Sequence, residues 1–134
     1  MGLLNRSKKD SLDDIYEDIE SDLGNRNPVD TAFEIQNMDK SDFKIRYKKL
    51  PKGKEGYMHK DGKTIDIDPR GRKGKILTTT VHELEHVKKK DFKLDKRTLT
   101  KKEIFEIEDK RVYDTFRKTR DWQDNLKKNE GVAS

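Results

Sequence analysis

Two of the three histidines in the 134-residue chain, His82 and His86, stand four positions apart, and Glu83 follows the first of them. On a helix, positions i and i+4 lie on one side, and the apolar spacing around them reads as a helix in the middle of the chain. At about 100° per residue, Ile76, Leu77, Val81, Leu84 and Val87 share one side of it, while His82 and His86 point almost opposite. The apolar side must pack on something, which leaves the histidines facing a cleft or another helix. From there both imidazoles can reach one metal ion, and the Glu83 carboxylate leans over the ion's open position.

The rest of the chain must build its core around that helix with little material. Leu, Ile, Val and Phe account for 29 of 134 residues, whereas 44% of the chain is charged. That is close to the limit at which a charged chain can bury enough to fold. There is no cysteine, so neither a disulfide nor a thiolate metal site can brace it. The length fits a single domain over residues 1–134. No apolar run is long enough for a membrane span, and Met1 to Arg6 lacks a secretory or myristoylation pattern, so a cytoplasmic location is expected.

Charge is segregated along the chain. Asp10 to Asp22 holds seven acids and no lysine or arginine, whereas later segments are basic: Lys44 to Lys54, Arg70 to Lys75, Lys88 to Lys90 and Lys96 to Lys102. The net charge of +5 permits a nucleic-acid partner. Solvated faces are the favoured reading, because aromatic residues are not interleaved with the basic runs as a stacking groove needs. Arg70 to Lys75 lacks the spacing of a phosphate loop.

Local patterns predict an α+β fold: an N-terminal helix, a small antiparallel or mixed sheet with a β-hairpin, the histidine helix, and a C-terminal helix. Leu12, Ile15, Tyr16, Ile19 and Leu23 form the stripe of the first helix, with Ser11 and Gly24 as its caps. Val29 to Met38 fits a second short helix. Phe43, Ile45 and Tyr47 alternate with basic residues as a strand. Tyr57 to His59 and Thr64 to Ile67 flank Lys60-Asp61-Gly62-Lys63, where Asp-Gly signals a two-residue hairpin. Ile65 and Ile67 then face one way, and Asp66 and Asp68 the other. Pro69 to Gly74 is a loop, the histidine helix covers about Lys75 to Lys89, and the last helix about Thr100 to Leu126, with Thr100 and Glu103 as a capping box. Residues 1–9 and 127–134 are expected to be flexible.

His82-Glu83-Leu84-Glu85-His86 resembles the His-Glu-x-x-His motif of the zincin metallopeptidases, and the order of elements resembles their minimal gluzincin type. The resemblance spans residues 11–126. It implies Zn2+ as cofactor, with His82 and His86 as metal ligands, Glu83 as catalytic base and a glutamate of the last helix as third ligand. No histidine follows His86, so the three-histidine zincin form is excluded.

Two glutamates compete for the third position. Glu106-Ile107-Glu108-Asp109 resembles the Glu-x-Glu-Ala-Asp stretch of several gluzincin-like families, whose first glutamate binds zinc, and this implies Glu106. Periodicity points elsewhere. Ile104, Phe105, Val112, Phe116, Trp122 and Leu126 define a buried stripe with Glu108 near its middle and Glu106 almost opposite. A carboxylate within an apolar stripe needs a cation or a metal. Glu103 is a third candidate, and Asp109 or Asp114 could orient a histidine.

Zinc held this way lowers the pKa of a bound water, and Glu83 takes its proton and passes it to the leaving amine. His59 or Tyr113 could assist the oxyanion. An extended peptide or protein substrate would lie along an edge strand, for which Thr64 to Asp68 is the candidate. The expected function is therefore a zinc metallopeptidase. The alternatives are a non-catalytic zinc-stabilised binding module and a basic nucleic-acid-binding regulatory domain.

Overall fold

The computed structural model describes residues 8–90 and 98–133. In chain order the elements are α1 Lys8–Leu23, α2 Pro28–Gln36, β1 Lys44–Tyr47, β2 Gly56–Met58, β3 Thr64–Ile67, α3 Lys73–Lys89 and α4 Lys101–Ala133, an α+β fold. Among the described residues no helix is long and apolar enough to cross a membrane.

Most boundaries follow from local chemistry. Gly24, at φ +55°, ends α1 by donating its N–H to the Glu20 carbonyl, a backbone angle that favours glycine. Asn27 caps α2 by accepting from the N–H groups of Val29 and Asp30, and Pro28 follows at the first helical position. Thr100 and Glu103 form the expected reciprocal capping box at the start of α4.

Several expectations are corrected. Helix α1 begins at Lys8, so Ser11 lies inside it and does not cap it, and Leu12 and Ile15 sit on its exposed flank while Tyr16, Ile19 and Leu23 are buried. Helix α2 ends at Gln36 because Asn37 turns left-handed. Helix α3 starts two residues early, at Lys73. Lys60 to Lys63 forms a four-residue hairpin loop instead of a two-residue turn: His59 still pairs with Thr64, and Asp61 ties the loop by accepting from the N–H groups of Lys63 and Thr64. Helix α4 continues to Ala133, past its expected end near Leu126. The expected flexibility of residues 1–9 falls mostly outside the described residues.

The sheet order is β1-β3-β2, with β1 parallel and β2 antiparallel to β3. The strand expected at an edge, Thr64 to Asp68, is therefore the central one, and β2 is an edge. Asp66 and Asp68 do face away from the core, yet both are buried. Asp66 is covered by Arg46 and His59, and Asp68 is held by Arg70 and the Leu50 N–H.

Helix α3 is the hub, packing on α1, α2, α4 and the sheet. It splits the core in two. Leu77 and Val81 join Tyr16, Ile19, Leu23 and Ala32 on the helical side. Leu84 joins Val29, Phe33, Met58, Ile65 and Ile67 on the sheet side. Each fully buried aliphatic side chain contributes about 1.5–3 kcal/mol, so a small set of residues carries this fold.

Candidate metal centre

One face of α3 turns His82 and His86 toward α4, and α4 brings Glu108 to meet them. His82 Nε2 lies 3.2 Å from Glu108 Oε2, and His86 Nε2 lies 3.3 Å from Glu108 Oε1. The two imidazole Nε2 atoms approach to 3.1 Å, with the rings edge-to-face at 83°. The three residues form a group able to hold a metal ion, each offering one ligand atom.

The spacing fits a metal. Tetrahedral coordination at about 2.0–2.1 Å sets ligand atoms roughly 3.3–3.4 Å apart; the two imidazole nitrogens stand 3.1 Å apart, and each lies 3.2–3.3 Å from a different oxygen of the Glu108 carboxylate. Two imidazole nitrogens and a carboxylate this close crowd lone pairs together, an arrangement that a shared proton or a cation relieves. Hydrogen bonds from both histidines hold the Glu108 carboxyl well below the usual carboxylate range.

Glu83 sits one position along the helix, against β2. Burial pushes its carboxyl above the usual range, opposed by His82 and His86, and the Met58 N–H donates to it. The contact is close because Gly56 has no side chain: a Cβ there would meet Thr79 Cγ2 at 2.6 Å and Glu83 Cγ at 3.4 Å. In the β2–β3 ladder, Glu55 and His59 bond to β3 through their backbones. By alternation, the N–H and C=O groups of Gly56 and Met58 point outward, along the edge that faces Glu83.

The competing positions lie elsewhere. Glu106 is exposed on α4, and Glu103 serves as a helix cap. The α4 stripe differs from the apolar pattern: Phe105 and Tyr113 are each 67% exposed and Val112 is exposed too, while Arg111, Asp114, Thr115 and Thr119 are buried. Asp114 pairs with Arg111, and Asp109 is exposed. His59 is committed to Asp66 on the outer face of the sheet, and Tyr113 is exposed on α4.

A second polar cluster escaped the sequence reading. Glu85, inside the motif and fully buried, pairs with Lys118 of α4, whose ammonium also donates to Gln36 Oε1 at 3.0 Å. Gln36 Nε2 donates in turn to the Val81 carbonyl at 2.9 Å. Burial raises the Glu85 carboxyl, but the bonds from Lys118 and Gln36 outweigh it and leave the carboxyl below its ordinary value. The available signal was a lysine spaced on α4 with Glu108, which periodicity of apolar residues overlooks. A cleft of about 300 Å³ lies near the N-terminal part of α3, lined by Leu50, Lys54, Glu55, Arg70 and Thr79 among others; His82, His86 and Glu108 are not among its lining residues.

No protein-family description, no curated protein and no solved structure matches this chain.

Proposed function

We propose that this chain is a zinc-dependent metallopeptidase of minimal gluzincin-like type, with His82, His86 and Glu108 as metal ligands and Glu83 as general base. The observation that carries the reading is the convergence of two imidazole nitrogens, 3.1 Å apart, on the Glu108 carboxylate, whose two oxygens lie 3.2 and 3.3 Å from them, with Glu83 on the same helix. Glu108, and not Glu106, is the third ligand in this reading, because α4 turns it onto the two histidines.

A bound Zn2+ would supply Lewis acidity toward a peptide carbonyl and acidify a water. The Glu83 carboxylate accepts a proton from the attacking water as its oxygen bonds to the carbonyl carbon, and returns the proton to the leaving nitrogen as the C–N bond breaks. The raised Glu83 carboxyl suits both roles, since a group too weakly basic cannot take the proton. The Met58 N–H fixes the orientation of this carboxylate. An extended peptide would pair with the outward backbone groups of Gly56 and with the Met58 carbonyl, which replaces the central strand Thr64 to Ile67 as the docking edge.

The test is elemental analysis of the purified protein together with hydrolysis of a peptide library. Glu83→Gln should keep stoichiometric zinc and its melting temperature while losing roughly 10²–10⁴-fold of the rate. Stoichiometric zinc without hydrolysis of any peptide would favour a non-catalytic zinc module. Protein without zinc, whose melting ignores a chelator, defeats both.

A further inference from the structure

The sheet face opposite α3 has a composition the linear sequence conceals. Ile65 and Ile67 turn toward α3, so Asp66 and the residues paired beside it turn outward. Across β3, the register sets Arg46 on one side of Asp66 and Tyr57 on the other. Tyr57 is 39% exposed and its ring meets that of His59 edge-on at 4.9 Å. Lys54 Nζ lies 5.3 Å from the Tyr57 ring centroid. Lys44 occupies the same-face position of β1 two residues before Arg46, and the exposed Lys48 the next alternate position after it. Two-residue steps along a strand advance roughly 6.6 Å, so β1 carries a ladder of cations beside an exposed aromatic ring.

The two acids that β3 turns outward, Asp66 and Asp68, each already have an arginine beside them. Asp66 is buried beneath Arg46, whose Nε lies 3.1 Å away, and His59, whose Nε2 lies 2.9 Å away. Arg46 keeps 42% of its side chain exposed. The seven acids of the N-terminal segment belong largely to α1, which packs on α3 and α4.

We propose that this outer sheet face binds single-stranded nucleic acid, with one base stacked on Tyr57 and the phosphates following Lys44, Arg46 and Lys48. Stacking on one ring needs an unpaired base, which a duplex does not offer, and a lysine ladder matches a chain with one charge per repeat. β1 and β2 are separated by β3, so ring and cations stand about 10 Å apart, a width that a nucleotide bridges from base to phosphate. The site is independent of the metal centre, since the sheet separates it from α3.

The test uses the full chain and fluorescence anisotropy with a labelled twelve-nucleotide oligothymidylate, the same length of oligouridylate, a duplex of equal length and polyglutamate. Single strands should bind, and more tightly than duplex or polyglutamate. Tyr57→Ala should weaken binding roughly tenfold, and Tyr57→Phe should restore it. Lys44→Glu with Lys48→Glu should weaken binding and flatten the slope of log affinity against log salt by about 1.4, at roughly 0.7 per phosphate contact. Lys127→Glu with Lys128→Glu makes the same charge change on exposed positions of α4 and should leave more affinity and a steeper slope. Circular dichroism confirms that each variant is folded. The proposal is overturned by absence of binding to either single strand at low salt, by polyglutamate or duplex binding as tightly, by a folded Tyr57→Ala variant with unchanged affinity, or by equal losses in the two lysine pairs.

Discussion

The interface between α3 and α4 holds two charged clusters that use adjacent residues of α3 for different ends. At Glu85, a fully buried carboxylate meets the Lys118 ammonium, and Gln36 ties the pair to α2. At His86, the next residue, two imidazoles and the Glu108 carboxylate converge, with Glu108 43% exposed. The first cluster buries its carboxylate completely and carries its own countercharge. The second is open and crowds lone pairs together. Burial with an internal partner makes a strut, and convergence with access makes a ligand site; the motif residues alone do not distinguish these, because Glu83, Glu85, His82 and His86 all lie within five positions.

The largest expected effect is on the strut. Lys118→Met leaves Glu85 buried without its cation and should cost about 3–5 kcal/mol in urea unfolding. Glu85→Met with Lys118→Met removes both charges and should recover most of that loss, because a well-packed apolar pair replaces an ion pair at little net cost. A single variant within about 1 kcal/mol of the native protein would show that this carboxylate is not buried as described.

Next comes the metal. Saturating zinc should stabilise the native state by about 4 kcal/mol when free zinc exceeds Kd a thousandfold. A chelator should then lower the melting temperature by on the order of 10 °C. The thin core makes this shift a large share of total stability. Glu108→Ala should weaken zinc binding by more than the roughly 10–100-fold typical of losing an outer-shell partner, while Glu106→Ala leaves it unchanged. Equal effects of the two, read by competition with a chromogenic chelator, would remove Glu108 from the site.

The parts legible in the sequence are those set by short-range chemistry. The α3 spacing, the Thr100–Glu103 capping box and the alternation of Ile65 and Ile67 all describe neighbours along the chain. The sheet order was not legible, because the parallel pairing of Lys44–Tyr47 with Thr64–Ile67 spans an intervening strand and leaves no local mark. The α4 stripe misled in a specific way. Helix α3 offers α4 a polar surface containing Glu85 and the histidines, so α4 answers with Lys118 and Glu108 and leaves Phe105 exposed. Apolar periodicity still placed Glu108 on the inward side, because Ile104 and Trp122 share that side. Resemblance to Glu-x-Glu-Ala-Asp chose Glu106, and the helical phase of α4 turns that residue to solvent.

The smallest effect separates burial from bond length. Arg72, which precedes α3, makes no side-chain cap, and Glu20 of α1 fills that role: it accepts from Arg72 Nε and one terminal nitrogen, each at 2.7 Å, and from the Gly74 N–H at 3.1 Å. These contacts are as well formed as any at the strut, yet Arg72 keeps 36% of its side chain exposed. Water therefore competes for both charges, and Glu20→Gln should cost only about 1 kcal/mol at pH 7. The Arg72 bond, aided by Gly74 and opposed by burial, lowers the Glu20 carboxyl below its ordinary value. A carboxylate depressed on folding stabilises above the unfolded pKa, and that contribution is lost as pH falls through the folded value. The gap between native protein and Glu20→Gln should accordingly be full at neutral pH and close as pH drops below the ordinary carboxylate range. If Glu20→Gln instead matches Lys118→Met in cost, contact geometry and not burial ranks the charged contacts of α3, and the distinction between strut and surface pair fails.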